Sequence, residues 1–76
     1  MKELVEFIAR SLVDDPDDVH VHTVERDQAI LLELEVAQND LGKVIGRQGR
    51  TARAIRAVLA AAGQKTRQRY TLDILD

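Results

Sequence analysis

Residues 44–50 read Val44-Ile45-Gly46-Arg47-Gln48-Gly49-Arg50. Two glycines enclose two polar residues, and a helix-periodic, arginine-rich segment follows. Glycine permits sharp turns and close approach of another backbone because it has no Cβ. The amides at the start of the next helix, together with the helix dipole, favour an anion there. The segment therefore predicts a phosphate-binding turn, although the tetrad alone is equally typical of an ordinary tight turn between two helices.

Hydrophobic periodicity on either side of this turn predicts the remaining elements. A helix over 1–13 precedes two strands over 19–24 and 29–36, which a polar turn at 25–28 joins into a hairpin. Asn39 or Asp40 caps a short helix that ends at Ile45. A helix over 50–62 follows, with Gly63 at its C′ position, and then a strand containing Tyr70, Leu72 and Ile74. The order helix, strand, strand, helix, helix, strand predicts an α+β fold.

Length and composition favour a single domain over 1–76. Apolar residues make up 45% of the chain, which is enough for a packed core, and there is no cysteine. The N-terminal residues do not resemble a signal peptide, and no apolar run approaches membrane-spanning length. We therefore expect a cytoplasmic protein without a membrane partner.

The net charge of −2 is unevenly distributed. Residues 1–40 carry eleven acidic and three basic side chains, whereas residues 41–76 carry two acidic and eight basic ones. Such a chain can bind a polyanion on one side only, because distant exposed charges are screened.

Nothing in the sequence predicts catalysis or a cofactor. The chain has no nucleophile–base pairing and no Walker lysine motif, so we expect no enzyme activity and no small-molecule substrate. His20 and His22 have a spacing that two metal ligands can share, but no third ligand lies nearby. We expect them to be exposed strand residues, with no metal site.

The cations around the glycine loop are the predicted phosphate contacts. Lys43, Arg47, Arg50 and Arg53 surround the loop, Gln48 can donate a hydrogen bond, and Arg56 is expected to be a solvated surface charge. We expect Ile45 to pack into the core and Val44 to line an apolar groove for bases. The helix face predicted to pack on the sheet consists of Ala52, Ile55, Val58, Leu59 and Ala62. Because the loop is exposed, we expect aspartate at both Gly46 and Gly49 to block binding and leave the fold largely intact.

Residues 42–56, together with 12–16 and 32–36, resemble the small stand-alone bacterial KH proteins of the KhpA (YlqC-like) family. Ala52 departs from the broad KH pattern, in which a larger aliphatic residue often stands. The resemblance implies a type II KH domain, αββααβ, whose three-stranded sheet packs against three helices. It also implies a cytoplasmic protein that binds single-stranded RNA by clamping the backbone with its GxxG loop.

The resemblance further implies a post-transcriptional regulator or RNA chaperone that pairs with a second KH protein (KhpB or Jag-like), with links to cell shape and division. Homodimer and heterodimer both remain open, as do RNA and single-stranded DNA. The alternative function is a dimerisation or scaffold module with weak or no RNA binding. A strip of small residues, Ala54, Ala57 and Ala61, offers a surface for a second chain.

Overall fold

Three helices and three strands follow one another in the order αββααβ. The computed structural model describes all residues from Met1 to Asp76. The helices are α1 (Lys2–Leu12), α2 (Leu41–Ile45) and α3 (Arg50–Thr66), and the strands are β1 (His20–Arg26), β2 (Ala29–Glu35) and β3 (Arg69–Ile74). The predicted α+β class and element order are confirmed. None of the helices combines the length and apolarity needed to cross a membrane.

The sheet has the order β1-β2-β3 and mixes both pairing directions. β1 and β2 form the predicted antiparallel hairpin, in register from His20 opposite Glu35 to Arg26 opposite Ala29. The predicted four-residue turn is wrong, because β1 continues through Glu25 and Arg26 and leaves only residues 27 and 28 between the strands. β3 runs parallel to β2, so the chain between them must cross over, and it does so through α2, the glycine loop and α3.

One face of the sheet is buried beneath the helices. The alternation of β2 places Leu32 and Leu34 inward and Glu33 and Glu35 outward. The core also takes residues from the other strands, from positions flanking β1 and β2, and from all three helices: Val5, Ala9, Val19, Val21, Val36, Val44, Ile55, Leu59 and Leu72.

The two histidines lie on the opposite, exposed face of the sheet. His22 Nε2 lies 3.6 Å from Glu35 Oε1 on the neighbouring strand. No group of three or more His, Cys, Asp or Glu side chains is arranged to hold a metal ion.

The end of α3 differs from the prediction. The helix continues to Thr66, and Arg67 (φ 57°) adopts the left-handed conformation expected of a C′ residue. Gly63 instead lies inside the helix, where an added Cβ would overlap the Gln68 carbonyl and approach the Tyr70 ring to 3.3 Å. Glycine is therefore required at 63 by close helix–strand packing and not by helix termination.

The packing face of α3 is narrower than predicted. Ala52, Ile55 and Leu59 are buried, but Val58 is 47% exposed. Successive helical residues are rotated by ~100°, so Val58 lies at the margin of the arc that Leu59 occupies.

Candidate nucleic-acid interface

The glycine loop has an unusual backbone between α2 and α3. Gly46 (φ 78°, ψ 167°) lies in a region that is essentially restricted to glycine, while Gln48 (φ 57°) and Gly49 (φ 73°) are left-handed. A Cβ on Gly46 would overlap the side chain and backbone nitrogen of Thr51, whereas a Cβ on Gly49 would meet nothing within 4 Å. The expectation that both glycines tolerate aspartate is therefore wrong for Gly46. Gly46 fixes the loop against α3, and Gly49 keeps the loop surface open.

Several loop amides are already engaged within the protein. The Gly46 N–H donates to the Gly42 carbonyl at 2.8 Å, and the Gly49 N–H donates to the Gly46 carbonyl at 3.0 Å. The Arg50 N–H donates to the Arg47 carbonyl. The amides of Arg47 and Gln48 begin the turn and have no acceptor within it. Of the amides in the turn, these two are the ones available to an external oxygen.

Two arginines of α3 donate hydrogen bonds to Gln48, one to its backbone carbonyl and one to its side chain. Arg53 Nη2 donates to the Gln48 carbonyl at 2.7 Å, and Arg50 Nη2 donates to Gln48 Oε1 at 3.2 Å. Both acceptors are neutral, so neither positive charge is cancelled. Arg47 is exposed and forms no side-chain hydrogen bond or ion pair. Arg47, Arg50 and Arg53, which we call the loop arginines, form a group of exposed, unpaired cations.

Lys43 differs from the loop arginines because it is paired with two carboxylates. Its Nζ lies 2.9 Å from Asp14 Oδ2 and 3.3 Å from Asp40 Oδ1. The hydrogen bond to Asp14, followed by that to Asp40, raises the pKa of Lys43 against the opposing effect of burial. Lys43, which the sequence predicted to contact phosphate, is therefore engaged by two carboxylates, and it joins α2 to the segment after α1.

Asp40 anchors the same contact from within the core. Its carboxylate accepts hydrogen bonds from the Asp14 N–H at 3.3 Å and the Asp15 N–H at 3.1 Å, and makes no side-chain cap for α2. Burial alone would raise the pKa of Asp40, but the two N–H donors and Lys43 outweigh it and lower the pKa. This contact is not among the sequence-based predictions, and its one signal in the sequence is the i, i+3 spacing of Asp40 and Lys43.

Val44 and Ile45 exchange their predicted roles. Val44 is fully buried in the core, whereas Ile45 is 38% exposed immediately before the loop. Val44 cannot line a groove, and its place among the predicted contacts is therefore wrong. Ile45 provides the apolar surface beside the loop.

Arg56, predicted to be a solvated surface charge, instead forms a hydrogen bond with β3. Its Nη2 donates to the Leu72 carbonyl of β3 at 3.3 Å. β3 is an edge strand, so this guanidinium occupies a position on the open edge of the sheet, on the same helix as two of the loop arginines.

The α+β class and the order of the elements agree with comparisons with known proteins. A sequence profile described as the KhpA/KhpB KH domain matches residues 2–74. The chain belongs to this KH-domain family. No solved structure matches the chain at a significant level.

Relatives in this family match over nearly their full length. The RNA-binding protein KhpA of Clostridium perfringens is 55% identical over 75 residues, which are 99% of this chain and 100% of the relative. The proteins of the same name from Borreliella burgdorferi and Aquifex aeolicus are 53% and 46% identical, covering 97% and 100% of this chain and 90% and 96% of theirs. These relatives are named as RNA-binding proteins, in agreement with the prediction that the chain is not an enzyme. The resemblance to a KH protein of this family is confirmed.

Proposed function

We propose that this chain binds single-stranded RNA through the Gly46–Gly49 loop and the first turns of α3. The observation that carries the proposal is the group of loop arginines, which have no acidic partner beside a backbone that Gly49 leaves open. Full-length relatives named as RNA-binding proteins support RNA as the ligand.

The proposed contacts divide into backbone and base contacts. Phosphates approach Gly49, where no Cβ intervenes, and accept hydrogen bonds from the free amides of Arg47 and Gln48. The loop arginines supply the electrostatic attraction. Ile45 offers an apolar surface to the bases, and a KH footprint holds about four nucleotides. Lys43 and Val44 have no part in these contacts.

The sharpest test changes only Gly49. Gly49→Asp and Gly49→Asn have nearly the same shape, and both side chains tolerate the left-handed conformation. We expect Gly49→Asp to weaken binding of a fluorescently labelled RNA at least ~10-fold, because its charge repels phosphate. Gly49→Asn should fall between the wild type and Gly49→Asp. If both variants are folded and bind RNA like the wild type, the loop does not bind the backbone.

A second test addresses the loop arginines through salt dependence. Arg47→Ala should lower affinity for all sequences to the same extent, because phosphate contacts carry no base information. It should also flatten the log–log dependence of affinity on salt by about 0.7 for the contact removed. Arg10→Ala, on α1, is the matched control and should leave the slope unchanged. A changed sequence preference with an unchanged slope would assign Arg47 to a base edge.

A dimerisation or scaffold module is the second candidate function, and it is favoured by the exposure of Val58. Val58 lies on α3 among Ala54, Ala57 and Ala61, all of them exposed, so a second chain can approach the helix closely there. The partner is a second copy or another KH protein of the KhpB or Jag-like kind. Val58→Glu should dissociate a dimer in light scattering, while Ser11→Glu, at an exposed position of α1, should not. A wild type that remains monomeric alone and with such partners would exclude this function.

The cellular role rests on the family resemblance. We infer a cytoplasmic post-transcriptional regulator or RNA chaperone, with effects on cell shape and division. Crosslinking RNA to the wild type in cells and sequencing it, with Gly49→Asp as the control, would identify the targets. Recovery of the same RNAs with the variant would contradict a loop-dependent role.

A further inference from the structure

A second basic surface lies at the opposite end of α3 from the glycine loop. Arg26 at the end of β1, Arg67 after α3 and Arg69 at the start of β3 line one open cavity of about 640 Å³. We call these three residues the far-end arginines. Since α3 has 17 residues and rises ~1.5 Å per residue, the two basic surfaces are separated by ~25 Å.

The fold assembles this surface from distant parts of the chain. Arg26 is one of three cations in residues 1–40. The strand register places it opposite Ala29, which in turn lies opposite Arg69. Adjacent strands are separated by ~4.8 Å, so the backbones at 26 and 69 are ~10 Å apart on one sheet face. Their proximity cannot be inferred from charge runs in the sequence.

The far-end arginines are not neutralised within the protein. The cavity lining contains one acidic residue, Asp27, and none of the three arginines forms an ion pair with it or with any other carboxylate. Three glutamines complete the polar lining and can donate hydrogen bonds to an oxyanion. The surface therefore has net positive charge, concavity and neutral donors, which suit a phosphate-rich ligand.

The backbone of Arg67 adds an independent observation. Arg67 occupies a left-handed C′ position (φ 57°), where glycine is usual and a bulky side chain is strained. This position projects a cation next to the cavity. The positive charge of Arg67 interacts favourably with the C-terminal carbonyls of α3. The helix dipole does not explain why two further arginines, Arg26 and Arg69, stand on the neighbouring strands.

We propose that the far-end arginines are a second contact surface for the RNA backbone, which engages a strand that extends beyond the loop. This inference rests on the proposed function, because RNA is the ligand in both. A KH loop binds about four nucleotides, so a tetranucleotide bound at the loop has no nucleotides left to reach the far-end arginines. A strand of about twelve nucleotides spans ~40 Å even when stacked at ~3.4 Å each, and reaches both surfaces.

The test compares short and long strands with matched double variants. Arg26→Gln with Arg69→Gln removes two far-end cations, and Lys2→Gln with Arg10→Gln removes two exposed cations from α1. The probes are labelled uridine tetranucleotide and dodecanucleotide, titrated at several salt concentrations. We expect the far-end variant to weaken dodecanucleotide binding ~5-fold or more and to flatten its salt slope by about 1.4. Its tetranucleotide affinity should stay within ~2-fold of the wild type, as should both affinities of the α1 variant.

The outcomes separate this inference from the proposed function. If the far-end variant binds the dodecanucleotide like the α1 variant while Gly49→Asp still loses both probes, the far-end surface does not bind RNA and the loop assignment stands. If Gly49→Asp binds normally and the far-end variant does not, the loop assignment fails and the far-end surface stands. Retention on phosphatidylglycerol vesicles that the far-end variant abolishes, with unchanged RNA affinity, would overturn RNA as the ligand of this surface.

Discussion

Aspartate at Gly46 and at Gly49 should have very different effects on stability. At Gly46 the backbone region costs a non-glycine residue ~1–3 kcal/mol, and displacing Thr51 costs ~1–3 kcal/mol more. The expected loss is ~2–6 kcal/mol. At Gly49 no atom is displaced, and the left-handed penalty of ~1–2 kcal/mol is offset by ~0.3–1 kcal/mol from an acidic residue at the start of α3.

These losses are large compared with the total free energy of unfolding of a small protein. A domain of 76 residues has a free energy of unfolding of ~4–11 kcal/mol, and 1 kcal/mol shifts its Tm by roughly 4–8 °C. Gly49→Asp should therefore lower the Tm by no more than ~14 °C, whereas Gly46→Asp should lower it by ~8–48 °C or prevent folding. A variant with aspartate at both Gly46 and Gly49 could lose RNA binding simply because it is unfolded, so it does not test the loop contact.

Thermal unfolding followed by far-UV circular dichroism measures the contrast. Gly42→Asp is the control, because a Cβ at this exposed position in α2 meets nothing within 4 Å and no positive φ is required. It should unfold within a few degrees of the wild type. Equal Tm losses at 46 and 49, or a Gly46→Asp variant as stable as the wild type, would refute the distinction between the two glycines.

Three further predictions concern contacts within the folded protein. Because the pKa of Asp40 is lowered in the folded protein, ionised Asp40 stabilises the fold above pH 3.8, the ordinary pKa of aspartate, and this stabilisation is lost as the pH falls through the folded-state pKa. Urea unfolding at several pH values should therefore show a smaller loss of stability at low pH for Asp40→Asn than for the wild type. Gly63→Ala should destabilise by ~1–3 kcal/mol despite the higher helix propensity of alanine, and a Tm equal to or above that of the wild type would contradict the close packing on Tyr70. Val44→Ala should cost ~1.5–3 kcal/mol in urea unfolding and Ile45→Ala clearly less, and the reverse order would restore the roles predicted from the sequence.

The elements that the sequence predicts well are those long enough to show a period. Both hairpin strands and α3 carry several repeats of their pattern, so their type follows directly, and in α3 only the margin of the inward face, at Val58, differs from the prediction. α2 has five residues, which is little more than one turn, and a single turn has no periodicity to separate Val44 from Ile45. The exchange of their roles follows from this limit.

The cations close to the glycine loop could be predicted from the sequence, but their hydrogen-bond and ion-pair partners could not. The arginines near the loop follow from their spacing after Gly49, because a helix must place them near its start. Lys43 has the same charge and lies equally close in sequence, but its partner Asp14 is 29 residues away. The role of Gly63 is hidden from the sequence for the same reason. Its close contact with the Gln68 carbonyl depends on the path by which the chain leaves α3 and enters β3. Contacts between distant segments decide which charges are free and which glycines are indispensable.

The parallel pairing of β2 with β3 has a consequence for the order in which the protein folds. The hairpin of β1 and β2 forms from neighbouring residues, but β3 pairs with β2 only after the intervening chain has closed a long loop, which is slow. Leu72 of β3 belongs to the core, and the Arg56 contact also requires β3. During synthesis the glycine loop therefore emerges before the strand that completes its support. The loop conformation that we propose binds RNA is expected to form late, as one of the last features of the native state.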